Sequence, residues 1–194
     1  MVMTGTHRPP RGRRACVLLA ALATTMVAPQ ARADPAGPLT GLVDAAAQRL
    51  QLAEPVAAFK WNTHGSIEDP VRVQQELTKL GADATAEHID PGYVTRIFGD
   101  QINATEAVEY GRFTQWKLNP AAVPGAPDLS ASRSTIDGLN QTMLTAIAAD
   151  WDLLHSPGCA AELEAARGEV VAARQLDGLY QQALAFATQS YCQG

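Results

Sequence analysis

Downstream of Asp34 no stretch of this chain alternates β-branched and polar residues, and alanine is abundant. A chain with helical periods and no two-residue period can bury its apolar surface only by packing helix on helix. Leu39, Leu42, Val43, Ala46, Ala47 and Leu50 predict a first helix over about Leu39 to Leu52. Pro55 interrupts the pattern, a short helical piece carries "VAAFKW", and His64-Gly65-Ser66 breaks it. Two helices then open on the same device, an acidic cap followed by proline at the first helical position. One starts at Asp69-Pro70 and runs to about Glu87, with Val73, Leu77 and Leu80 inward. The other starts at Asp90-Pro91 and runs to about Trp116, with Val94, Ile97, Phe98, Ile102, Thr105 and Val108 at helical spacing. "LNPAAVPGAPDLS" reads as a surface connection of about ten residues. Ser130 or Ser132 is expected to cap the next helix, which carries Ile136, Leu139, Met143, Ile147 and Trp151 to about Leu154. Two more helices, about Ala160 to Arg174 and Leu176 to Cys192, complete an all-α, single helical-bundle domain of about six helices.

Residues 1–33 read as a cleaved secretory signal peptide. Arg8, Arg11, Arg13 and Arg14 precede the apolar run "ACVLLAALATTMVA", and "ARA" (Ala31 to Ala33) supplies the small-x-small cleavage pattern. The run is too short to span a bilayer comfortably, so the expectation is a secreted or periplasmic protein cut near Ala33-Asp34. Residues 34–194, the helical domain, then keep ten of the fifteen Lys and Arg residues and all twenty Asp and Glu, a net charge of about −10. So acidic a domain is a poor partner for nucleic acid or an anionic membrane. Cys16 leaves with the signal, and Cys159 and Cys192 remain as an even pair in an exported protein, which predicts a disulfide. Closing that loop stabilises the fold by roughly 3–4 kcal/mol on the chain-entropy view.

Several charged residues do not fit a plain solvated surface. Arg49 lies between the inward positions Ala46 and Leu50. Lys60 sits between Phe59 and Trp61 in a run that is otherwise apolar; it either snorkels or serves a site. Asp69 and Arg72 are three apart, and Glu76 follows Arg72 by four, the spacing of a surface salt bridge or of a shared site. Thr105 and Glu109 share the apolar side of the long helix. Arg133 opposes the helix dipole in the first turn of its helix. If these four cations from four helical segments converge, the cavity they make suits an anion. His64, His88 and His155 have no metal-ligand spacing, and no nucleophile elbow, C-x-x-C or glycine-rich phosphate loop is present. Trp61, Trp116 and Trp151 read as core anchors.

At these residues the chain resembles the secreted subclass of the all-helical (AroQ-type) chorismate mutases. The resemblance runs through eight collinear segments: "LVDAAAQRL", "PVAAFKW", "IEDPVRVQQEL", "HIDPGYVTRIF", "ATEAVEYGRF", "WKLNP", "DLSASRS" and "ATQSYCQ". It implies the rearrangement of chorismate, a dicarboxylate, to prephenate, as in aromatic amino acid biosynthesis. That step is an intramolecular carbon–carbon shift needing no cofactor, no metal and no covalent intermediate. The family pattern casts Lys60 and Glu109 as donors to the breaking ether oxygen, with Glu109 protonated. It casts Arg49, Arg72 and Arg133 as the arginines that bracket the two carboxylates, and Asp69 as acceptor of the ring hydroxyl. Thr105 matches a small hydroxyl residue beside the substrate, and the backbone of Glu106 a further contact. Lys60, Glu109 and Arg72 are the catalytic set. Glu76 stands where the resemblance implies glutamine. The resemblance also implies a homodimer with each site inside one chain. The alternative is a secreted helical binding module that kept the fold and lost catalysis.

Overall fold

The computed structural model describes residues 37–125 and 128–193, so the expected signal peptide and its cleavage site lie outside the described residues. No described residue is in a β-strand. The helices are α1 (Thr40–Gln51), α2 (Ala53–Thr63), α3 (Pro70–Ala86), α4 (Pro91–Leu118), α5 (Leu129–Ala149), α6 (Trp151–Leu154), α7 (Cys159–Arg174) and α8 (Gly178–Ala187), with a 3₁₀ turn at Pro120–Ala122. The all-α bundle expected from the sequence is what forms.

Helix α1 is the axis of the bundle. It packs against α2, α4, α5, α7 and α8. The expected apolar face is wider than a stripe, because Leu42, Val43, Ala45, Ala46, Ala47, Arg49 and Leu50 are all buried. Three consecutive alanines let neighbouring helices approach from several sides, since each side chain ends at Cβ. The long α4 lies against α2, α3 and α8 and contributes Tyr93, Val94, Ile97, Phe98 and Val108 to the core. Trp61 and Trp116 lie outside that core, in a smaller cluster with Phe113, Ala57 and Ala58.

Both aspartate–proline starts form as expected. The Asp69 carboxylate accepts from the Arg72 backbone N–H at 3.1 Å and that of Asp90 from Gly92 at 2.9 Å. Helix α5 is capped differently from the expectation. Asp128, with extended backbone, accepts from the Ser130 N–H at 3.0 Å, while Ser130 and Ser132 are already inside the helix. A cap residue needs non-helical backbone, and Asp128 is the one that has it. The same helix stops at Ala149, short of the expected Leu154; a bend at Asp150 leads into the separate turn of α6. Helix α8 likewise starts at Gly178, because Asp177 caps it through the Tyr180 N–H at 2.9 Å, and it ends at Ala187. Cys159 and Cys192 are disulfide-bonded and tie the start of α7 to the chain beyond α8.

Candidate active site

Local geometry prepares one cleft between α1, α2, α3, α4 and α5. Helix α2 ends when His64 adopts left-handed backbone (φ 55°), and the Gly65 N–H returns to the Lys60 carbonyl at 2.8 Å. That reversal carries Ile67 back over the helix end, where its carbonyl accepts from Lys60 Nζ at 2.7 Å. The proline start at Asp69-Pro70 then aims α3 so that Arg72, Val73 and Glu76 reach the same space. The resulting cleft has a volume of about 110 Å³.

Seven of the eight residues expected at the site line it: Arg49, Lys60, Asp69, Arg72, Thr105, Glu106 and Glu109. Arg133 does not. It is exposed near the start of α5 and makes no ion pair or side-chain hydrogen bond among the described residues. It stands one turn before Ile136, the α5 residue that lines the cleft, so the two share a helix face. Val56, Ile67, Val73, Ile102 and Ile136 supply the apolar walls.

At one end, Arg49 is 4% exposed and held along its whole guanidinium. Nε donates to Asn140 Oδ1 at 2.7 Å, Nη1 to Thr105 Oγ1 at 3.3 Å, and Nη2 to Glu76 Oε1 at 2.8 Å. Asn140 Nδ2 donates to the same Glu76 oxygen at 2.9 Å. Burial pulls the Arg49 pKa below its ordinary value, and Glu76 opposes the pull. A guanidinium so tied stays charged. Arg72 is half-exposed, with Nε 3.8 Å from Glu76 and Nη2 3.6 Å from Asp137.

At the other end, Lys60 Nζ donates to Glu109 Oε2 at 2.7 Å as well as to the Ile67 carbonyl. Glu109 is 2% exposed. Burial pushes its carboxyl up to about 7, against the pull of Lys60. Glu106, one turn away, is also raised, first by burial and then by Glu68. Among the described residues no group of three or more His, Cys, Asp or Glu side chains could hold a metal ion.

Asn140 escaped the sequence reading. A signal for it exists: position 140 falls four residues after Ile136 and three before Met143, so an amide sits on the apolar stripe of α5. The Ile67 carbonyl has no such signal, because it depends on the path of a loop.

Fold and cleft together define an all-helical protein whose cleft sets three cations, Arg49, Lys60 and Arg72, among four carboxylates, Asp69, Glu76, Glu106 and Glu109. Residues 40–110 match the family described as Chorismate mutase type II. The chain is 59% identical over 177 residues to the secreted chorismate mutase of Mycobacterium tuberculosis, covering 91% of this chain and 89% of that protein. It is 55% identical over 179 residues to the secreted chorismate mutase of Mycolicibacterium smegmatis, covering 92% and 98%. Among solved structures, the chorismate mutase of Burkholderia thailandensis superposes with a TM-score of 0.76 at 34% identity, over 80% of this chain and 99% of that one. The chain belongs to the chorismate mutase family.

Proposed function

We propose that this protein is an exported chorismate mutase, an isomerase that converts chorismate to prephenate, and that the cleft is its active site. The observation that carries the site is the pairing of Lys60 with Glu109 at 2.7 Å, in a cleft that also holds Arg49 and Arg72. The rearrangement moves electrons within one molecule, so catalysis consists of holding the reactive shape and stabilising developing charge. Arg49 and Arg72 engage the two carboxylates and hold the enolpyruvyl chain over the ring. Arg133 closes on one of them from the α5 edge.

An ammonium has three N–H groups. Two of those on Lys60 are committed, to Ile67 and Glu109, and the third is left for the ether oxygen whose negative charge grows as the C–O bond breaks. Glu109 donates to the same oxygen when it carries a proton. A pKa of about 7 keeps that form populated at neutral pH, where an ordinary glutamate is almost wholly ionised. Asp69 accepts from the ring hydroxyl with the oxygen its capping bond leaves over, and Thr105 and the Glu106 backbone bound the ring.

The signal over residues 1–33 and the secreted relatives support export; sequencing the mature N-terminus should return Asp34. A homodimer belongs to the same reading, and sedimentation at micromolar concentration tests it. The described helices include none long and apolar enough to cross a membrane. The test of activity is the loss of chorismate absorbance on adding purified protein. Rapid decay with prephenate as product is expected; decay no faster than in buffer would leave a binding module that has lost catalysis.

A further inference from the structure

One buried polar residue that the substrate reading leaves unused bonds directly to a site arginine: Asn140. It is 5% exposed, a position where an amide is costly unless it is fully bonded. It does not line the cleft; it bonds to both Arg49 and Glu76 and lines an adjoining cavity of about 230 Å³ that shares Arg72 and Glu76 with the cleft. Its orientation is fixed by chemistry. Arg49 Nε can only donate, so Oδ1 must face it at 2.7 Å, and Nδ2 then faces Glu76 Oε1 at 2.9 Å.

The consequence falls on Arg49. Of the five N–H groups of a guanidinium, Asn140, Thr105 and Glu76 take one each. Two remain, one on each terminal nitrogen, and these can meet the two oxygens of a carboxylate. The Thr105 hydroxyl spends its own proton on the Gln101 carbonyl at 2.8 Å, so it faces Arg49 as an acceptor. Without Asn140, Nε is left buried and unpaired, and the guanidinium can rotate to offer a different edge to Glu76. The network holds Glu76 as well: its Oε1 takes both Arg49 and Asn140, and Oε2 lies toward Arg72.

We propose that Asn140 is a positioning residue for the anion-binding end of the cleft: it locks the buried Arg49–Glu76 pair so that Arg49 presents its two remaining N–H groups to one carboxylate of the substrate. Glu76 then acts as the resident counter-ion of Arg49, without contacting substrate. This rests on the chorismate reading.

The test is steady-state kinetics on the purified protein, wild type first. A wild type without activity ends the chorismate reading and this one with it; the variants are read against an active wild type. The substrate carboxylate keeps its charge throughout the rearrangement, so loosening Arg49 should fall mainly on KM: Asn140→Ala should raise KM about 10-fold and lower kcat less, by no more than about threefold. Partial unfolding lowers the active fraction, and so apparent kcat, but does not move KM. If Asn140→Ala does not fold, Asn140→Ser removes both bonds with less lost volume, and the same split is expected. Asn140→Asp keeps the acceptor for Nε but turns the donor facing Glu76 into a carboxylate, and should raise KM further. Glu76→Gln keeps an oxygen for Arg49 and Asn140, removes the charge and turns an amide N–H2 toward Arg72 in place of Oε2; with the repelling charge gone, KM for the dianion should fall several-fold with kcat within about threefold. An unchanged KM in the Asn140 variants would make Asn140 purely structural. A collapse of kcat in Glu76→Gln would make Glu76 a substrate contact and overturn the counter-ion role.

Discussion

The two ends of the cleft solve the burial of charge in opposite ways. At the Arg49 end the charge is permanent: a guanidinium, a carboxylate and an amide satisfy one another, and Arg49 has no neutral form to retreat to at physiological pH. At the Lys60 end the charge is adjustable, because Glu109 is pushed up to about 7 and can take or release a proton near neutrality. On the proposed chorismate reading, the Arg49 end grips a carboxylate and needs a charge that does not vary. The Lys60 end would then meet an oxygen becoming negative and need donors, and a protonated carboxyl is one. The comparison predicts that the same kind of cut will damage stability at one end and chemistry at the other.

The largest effect is expected at the permanent end. Arg49→Ala leaves the buried Asn140 without its donor and Glu76, 12% exposed, with only Arg72 at 3.8 Å as counter-charge, and breaking a largely buried pair in this way costs up to about 3–5 kcal/mol. Urea denaturation should show that loss; a change below about 1 kcal/mol would mean the Arg49 end is not a closed network. At the adjustable end Lys60→Ala should lower kcat by about 100- to 1000-fold, the range for one preorganised donor. Its stability should change far less, because Glu109 can respond by protonating. A kcat within threefold of wild type would reduce Lys60 to a snorkelling side chain.

A cut remote from both ends provides the control. Replacing Cys159 and Cys192 by serine opens the link between α7 and the C-terminal turn and should cost roughly 3 kcal/mol. At 25 °C, well below the lowered Tm, kcat should be unchanged, which would separate loss of fold from loss of chemistry. The smallest effect is expected for Arg133→Ala. An exposed arginine on the α5 edge adds only a screened contact, so KM should rise a few-fold, and less at high salt. No change at any salt concentration would remove Arg133 from the site.

The legible parts were those encoded locally. Asp69-Pro70 and Asp90-Pro91 announce their helices because cap and first turn are adjacent in sequence. Arg49 and Lys60 are visible because each interrupts an apolar run, and an interrupted run needs a reason. Helix α5 shows the limit. Asp128, Ser130 and Ser132 are all acceptable caps by type, and only backbone conformation chooses among them. Asn140 was missed because its partners, Arg49 and Glu76, are 91 and 64 residues away, and neither separation leaves a mark in sequence. A protonated Glu109 is implied in the sequence only by the family pattern; its physical cause, burial on the inner face of α4, belongs to the folded structure.

The most direct test of the difference between the two ends is kcat/KM against pH, from 5.5 to about 8.5 at constant ionic strength, for wild type and Glu109→Gln. This ratio reports groups of the free enzyme. Below about 7 Glu109 holds its proton and can donate; above it the carboxylate only accepts. The wild-type profile should therefore be high at acidic pH and fall toward tenfold per unit beyond about 7. The amide of Glu109→Gln donates at every pH, so its profile should be flat across that range. A wild-type profile that is flat, or that rises with pH, would contradict the account and leave Glu109 as an ionised partner that only orients Lys60.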